Sequence, residues 1–366
     1  MTNIDMQFHG SDIEKVEKFY HIKKEEIVNF SGNVNPLGLS ALVISELKNH
    51  IELISAYPDR DYTSLRQVIA KYISVHPDQI LVGNGSTELI SLFIKIIHPE
   101  KATIIGPTYS EYEREIRIDG GRSISQALKE ENDFKVDFES LKEDLAEDTD
   151  LLVICNPNNP TSTAIEHAEL RQILDYCLAH HIFVLIDETY VEFTDNPDNV
   201  TGSMFCETYT NLFIIRGVSK FFAAPGLRLG YAVTGNKELI HQMNSLKNPW
   251  TINSLAAYAG ELMLQDTDYI NKTKALIKTE KNKFITILGS WTNVKVYAPS
   301  ANFILVKIMD PTITAPMLFE SLIKEKIMIR DASGFPFLNN KYFRFCINKP
   351  EENDLLIEHL KKLLNQ

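Results

Sequence analysis

The chain has 366 residues, more than one hydrophobic core usually organises, so two domains, or one large domain with a smaller one attached, are expected. Its 37 Lys and Arg against 49 Asp and Glu leave a formal net charge of −12, which disfavours nucleic acid and anionic membrane surfaces as partners and requires an anionic substrate to meet local arginines. The start, MTNIDMQFHG, lacks a basic region followed by an apolar stretch, and no later apolar run approaches the ~20 residues that span a bilayer, so a cytoplasmic protein is expected.

From about residue 65 to 235, short β-branched runs alternate with amphipathic stretches, the pattern of βα units around a mostly parallel sheet. QILVG, ATIIG, LLVIC, IFVLIDE, LFIIRG and LGYAV are the predicted strands, each followed by residues that form turns and caps. Sheets of this kind bind ligands at strand ends. Cys155, Cys177, Cys206 and Cys346 are scattered without metal-ligand spacing and read as buried, reduced thiols.

The first strand runs into GNGSTELISLFIKII, where Gly83 and Gly85 permit a tight turn and Ser86 and Thr87 can cap a helix. Free N–H groups and the positive end of such a helix hold a phosphate, with the two hydroxyls adding bonds; an ordinary capped helix is the alternative. A Walker loop would need Gly-Lys-Ser/Thr, which is absent, and a dinucleotide fingerprint would need a third glycine where Glu88 stands.

IFVLIDE delivers Asp187 to the carboxyl end of its strand, where a half-buried carboxylate requires a partner. A protonated pyridine nitrogen is such a partner, because the ion pair keeps the ring able to accept electrons; a helix cap is the alternative. In LFIIRGVSKFFAAPGLRLGYAV, Lys220 lies between apolar runs, with Arg228 eight residues on. Desolvation lowers a lysine's pKa and frees the amine to form a Schiff base with an aldehyde; the alternative is a lysine whose head reaches solvent.

Beyond about residue 236 the texture turns helical, and a second αβ pattern ends in LLIEHLKKLLNQ. The lysine run in YINKTKALIKTEKNKFITILGSW has helical spacing, with Leu276, Ile277, Phe284 and Ile285 on another face, and reads as solvated.

Read in order, NPLG from Asn35, YPDRDY from Tyr57, GNGSTE, PTYSEY, NPNNPT, DETYVEF and SKFFAAPGLRLGY resemble the fold-type I pyridoxal-5'-phosphate (PLP) enzymes, the aspartate aminotransferase superfamily. The resemblance implies an α/β fold: a large domain with a mostly parallel sheet flanked by helices, over 43–250, and a smaller α/β domain from 1–42 and 251–366. It also implies that Lys220 carries the cofactor, Asp187 pairs with the ring nitrogen, Asn159 and Tyr190 bond the ring hydroxyl, and Tyr109 stacks on the ring. Gly85, Ser86, Thr87 and Arg228 look like the phosphate cradle, with Tyr57 reaching over from a second subunit of a homodimer.

Two positions depart from that pattern. Gly217 stands where many relatives have a serine that touches the phosphate, leaving Ser219 or water to replace it, and Ser162 replaces a glycine after NPNNPT.

Within the superfamily, FHGSDI followed by VNFSGNVNPLG resembles threonine-phosphate decarboxylase of cobalamin biosynthesis, as do YPDRDYTSL and NPWTINSLAAYAGE. His9 and Asn33 match positions that help hold a substrate phosphate, and Arg330 and Arg344 match the two substrate arginines, one for phosphate and one for carboxylate. Histidinol-phosphate aminotransferase shares the cofactor set and both arginines, and Tyr190 is the residue it favours. A catalytically silent regulator with this fold would carry a basic DNA-binding segment, which is not expected here.

Overall fold

The structure, a computed structural model, describes residues 8, 12–145 and 148–364. Its strands are β1 (Val28–Asn29), β2 (Ile80–Asn84), β3 (Lys101–Gly106), β4 (Arg122–Ala127), β5 (Leu151–Cys155), β6 (Phe183–Asp187) and β7 (Leu212–Gly217). They continue with β8 (Leu229–Val233), β9 (Val294–Val296), β10 (Phe303–Ile308), β11 (Ile327–Met328), β12 (Arg330–Asp331) and β13 (Tyr342–Cys346). No helix among the described residues is long and apolar enough to cross a membrane.

Seven strands form the central sheet in the order β2-β8-β7-β6-β5-β3-β4. β8 runs antiparallel to both its neighbours, and the other pairs are parallel. Every residue of β5, β7 and β8 is buried, as befits strands covered by helices on both faces. Alternate side chains serve opposite faces: Val153, Leu185 and Ile215 join one apolar cluster, Ile154, Ile186 and Ile214 the other. All six predicted strands are present. β4 was not anticipated, because RSISQA lies at the sheet edge with mostly solvent-facing residues and carries no apolar run.

A second, four-stranded antiparallel sheet has the order β12-β13-β10-β9. β1 pairs in parallel with β11, Val28 opposite Ile327, which binds the N-terminal part of the chain to the C-terminal part. The backbone N–H of Asn35 donates to Lys220 O at 3.0 Å and its side-chain amide donates to Phe221 O at 2.7 Å. The NPLG turn is thereby moored beside the lysine.

The lysine-rich segment forms the helix Thr267–Gly289, but its buried stripe differs from the expected one. Ile277 and Phe284 face the core, while Ile285 lies at the surface, 36% exposed. Lys281, taken as solvated, is buried with its ammonium 3.0 Å from Asp195.

Candidate active site

The carboxyl ends of β5, β6 and β7 and the start of the helix Gly85–Ile97 face β12, β13 and the segment after β1 across a cavity of about 500 Å³. Gly85, Ser86, Thr87, Tyr109, Asn159, Asp187, Tyr190, Ser219, Lys220 and Arg228 all line it, as do Asn33, Arg330 and Arg344. Two expected residues are not among them. Tyr57 is 80% exposed, packs at a tilt against Trp250 with ring centroids 4.7 Å apart, and does not line this chain's cavity. His9 lies outside the described residues.

At one end, Gly85 opens the helix with φ +75°, and a Cβ there would sit 2.3 Å from Arg228 Nη2. Glycine is therefore required for the guanidinium to lie against the helix start. Gly230 makes a similar approach: its Cβ would meet Ser86 N at 2.5 Å. Ser86 and Thr87 do not cap the helix as expected. Asn84 holds the cap position without a side-chain bond, and Ser86 and Thr87 occupy the first turn, where N–H groups have no intrahelical acceptor. Gly217 lines the same region, and a Cβ there would have ordinary contacts, 3.4 Å from Leu229 O and 4.0 Å from Ser219 Oγ.

At the other end, Asp187 closes β6 and is 5% exposed. Burial raises its pKa, and hydrogen bonds oppose that: Thr189 N and Oγ1 donate to Oδ1 at 2.9 and 2.5 Å, and Tyr112 OH donates to Oδ2 at 2.6 Å. Between the two ends stands Lys220, whose Nζ donates to Gly32 O at 2.7 Å. Burial, reinforced by the like charge of Arg344, lowers its pKa to about 8. Tyr109 meets Tyr112 edge to face, 5.6 Å between centroids.

Arg344 Nη2 donates to Ser31 O at 2.6 Å and its Nη1 donates to Asn159 Oδ1, with Phe303 beneath the guanidinium at 5.4 Å. Arg330 Nη1 donates to Phe8 O, and Arg330 lies over the Phe335 ring at 5.2 Å. Burial lowers the pKa of both arginines, Arg330 to about 10. Among the described residues neither guanidinium has a carboxylate within ion-pair distance. Asn33, with φ 55°, donates from Nδ2 to Tyr190 OH at 3.3 Å.

Tyr112, Thr189, Ser31 and Gly32 were missed by the sequence reading. Thr189 follows an aspartate at the two-residue spacing of an Asx turn, and Tyr112 lies three residues after Tyr109 at a helix start, so both left a trace. Ser31 and Gly32 act through backbone carbonyls, which no side-chain pattern reports.

The cavity suits one kind of ligand: phosphate at the Gly85–Arg228 end, a cationic ring nitrogen at Asp187, and an aldehyde within reach of a lysine that is readily deprotonated. PLP has these three features, so the residues present fit it.

Comparison with known proteins agrees. The family described as aminotransferase class I and II matches residues 25–360. The threonine-phosphate decarboxylase of Salmonella typhimurium is 31% identical over 97% of this chain and 96% of its own length. The crystal structure of the histidinol-phosphate aminotransferase from Clostridium acetobutylicum superposes with a TM-score of 0.86 at 34% identity, covering 92% of this chain and 98% of that one. The histidinol-phosphate aminotransferase from Sinorhizobium meliloti, solved in complex with pyridoxal-5'-phosphate, shares the fold with a TM-score of 0.85 at 18% identity over 100% of this chain and 97% of that one.

Proposed function

We propose, from the premise that this chain belongs to the aminotransferase class I and II family and is a PLP-dependent enzyme, that it decarboxylates L-threonine O-3-phosphate to (R)-1-amino-2-propanol phosphate, a step of cobalamin biosynthesis. The observation that carries this reading is the pair Arg330 and Arg344, buried in one cavity with Lys220 and free of carboxylate partners among the described residues. Two desolvated guanidiniums call for a substrate with two anionic groups, and an amino acid phosphate has both.

When bound, the cofactor supplies an aldehyde for the substrate's amine and a ring that accepts the electrons of the bond broken at the α-carbon. On this reading Asp187 holds the ring nitrogen cationic, Asn159 and Tyr190 hold the ring hydroxyl, and Tyr109 covers the ring. Gly85, Ser86, Thr87, Ser219 and Arg228 hold the cofactor phosphate. Arg344 fixes the substrate carboxylate from the floor set by Ser31 O and Phe303. Arg330, Asn33 and His9 take the substrate phosphate. Lys220 Nζ would hold and return a proton at the α-carbon.

Where Arg344 would hold the substrate carboxylate therefore decides whether the cofactor's electron-accepting ring would favour loss of carbon dioxide or loss of a proton. The reading extends to a cytoplasmic homodimer, in which the exposed Tyr57 enters the second subunit's cavity. It also takes 43–250 as the cofactor-binding domain and 1–42 with 251–366 as the smaller one.

A second reading is histidinol-phosphate amino transfer, favoured by Tyr190 and by the likeness to the Clostridium acetobutylicum enzyme. One assay separates them. Release of carbon dioxide and aminopropanol phosphate from L-threonine O-phosphate is expected. Conversion of histidinol phosphate that depends on 2-oxoglutarate, without that release, selects the aminotransferase.

A further inference from the structure

Asp187 is the carboxylate on which the cofactor reading depends, and it sits where burial favours its neutral form. Its hydrogen-bond partners decide the matter. Oδ1 accepts from both Thr189 N and Thr189 Oγ1, and Oδ2 accepts from Tyr112 OH. Thr189 N can only donate, and the two hydroxyls donate to the anion, which accepts all three and keeps a lone pair of Oδ2 for a cation in the cavity; a protonated Asp187 would have to reverse one hydroxyl bond and leave that hydroxyl's proton to find another acceptor in a buried setting.

Tyr112 is fully buried in the helix Glu111–Ile118, just below Tyr109, so its hydroxyl is held at 2.6 Å by packing on every side. We propose that Tyr112 is a positioning residue of the active site: its hydroxyl keeps Asp187 anionic and aims the free lone pair of Oδ2 at the cofactor's ring nitrogen. Burial and the adjacent Asp187 raise the pKa of Tyr112 well above its ordinary value, so it remains a donor throughout the working range. The proposal rests on the reading of Asp187 as the partner of that nitrogen.

The test measures cofactor affinity. Holoenzyme is stripped and retitrated with pyridoxal-5'-phosphate, following the visible absorbance of cofactor attached to Lys220. Tyr112→Phe keeps the ring and removes one bond to a charged group, so binding should weaken about tenfold or more. The loss should deepen as pH falls, because Asp187 is then easier to protonate.

In an Asp187→Asn background the same substitution should add nothing, the signature of a residue acting through another. Thr189→Val removes a donor from the opposite oxygen, should act in the same direction, and serves if Tyr112→Phe does not fold. No loss from Tyr112→Phe, or an equal loss in both backgrounds, overturns the proposal. If Asp187→Asn alone binds cofactor as tightly as the unaltered enzyme, the reading of Asp187 fails and the proposal with it.

Discussion

Lys220 Nζ donates a 2.7 Å hydrogen bond to the carbonyl oxygen of Gly32, a residue 188 positions earlier in the chain. The lysine therefore waits in a fixed place, turned toward the N-terminal segment that also carries Ser31 and Asn33. Burial and Arg344 hold its pKa at about 8, below the usual 10.5, so the amine is substantially neutral at mildly alkaline pH. Capture of pyridoxal-5'-phosphate by apoenzyme should accelerate as pH rises, with a midpoint near 8 in stopped-flow absorbance. Lys220→Ala should lose borohydride-stable attachment altogether, and Arg344→Gln should move the midpoint upward by removing the like charge. A midpoint that Arg344→Gln leaves in place would sink this account.

Gly85 is the position where the smallest substitution should do the most harm. With φ +75° and Arg228 Nη2 2.3 Å from the place of a Cβ, Gly85→Ala meets both backbone strain and a displaced guanidinium. We expect a loss of about 1–3 kcal/mol in urea unfolding of the apoprotein. Cofactor affinity should fall further, because Arg228 is pushed off the helix start. Unchanged affinity for pyridoxal-5'-phosphate would show that Arg228 has no part in holding it.

Behind the site, Arg216 is buried with Glu188 at 2.7 Å and Glu192 at 3.7 Å. Glu188 is also bonded by Gly202 N and Thr201 Oγ1, so it is the settled partner, while Glu192 Oε2 has no hydrogen bond. Burial, partly offset by Arg216, raises Glu192 from 4.5 to about 7. The folded state therefore binds more protons than the unfolded one across that window, and stability falls as pH rises from about 4.5 to about 7, by roughly 3 kcal/mol at most. Above that window the whole penalty is present. Glu192→Gln should match the parent protein's melting temperature at about pH 4.5 and exceed it increasingly as pH rises to about 8.5. A difference that does not change with pH would refute the assignment.

Ser162, one of the two departures noted in the sequence, is buried with φ 62°, a conformation glycine adopts without strain. Its hydroxyl repays that strain by accepting from Ala301 N at 2.9 Å, and its carbonyl accepts from Ser300 N at 2.7 Å. Ser162→Ala leaves a buried N–H unpaired and should cost about 1–3 kcal/mol in chemical denaturation. Ser162→Gly loses the same bond but relaxes the backbone, so its loss should be smaller. Equal losses would mean that the backbone angle is immaterial.

Much of this architecture was legible because the central strands are buried on both faces and therefore appear as unbroken apolar runs. β4 was illegible for the converse reason: an edge strand with Ser123, Ser125 and Gln126 looks like a loop. In the site, Lys220 and Asp187 stood out as charges at the ends of apolar runs. The supports of Lys220 and Arg344 did not, since Gly32 and Ser31 contribute carbonyl oxygens that every residue possesses. Lys281 was misread because helical spacing distinguishes faces, yet cannot show that Asp195 waits at the buried one.

The pairing of β1 with β11 has a bearing on how the molecule is assembled. Gly85, Asp187, Lys220 and Arg228 belong to one uninterrupted stretch of chain, whereas Arg330 and Arg344 meet Asn33 and Ser31 only when the two ends of the polypeptide come together. Contacts of such sequence separation close late, and during synthesis the C-terminal arginines leave the ribosome last. On the proposed reading, the residues that would hold the cofactor are thus gathered before those that would select the substrate, and Lys220 acquires its bond to Gly32 and its lowered pKa only when the latter arrive.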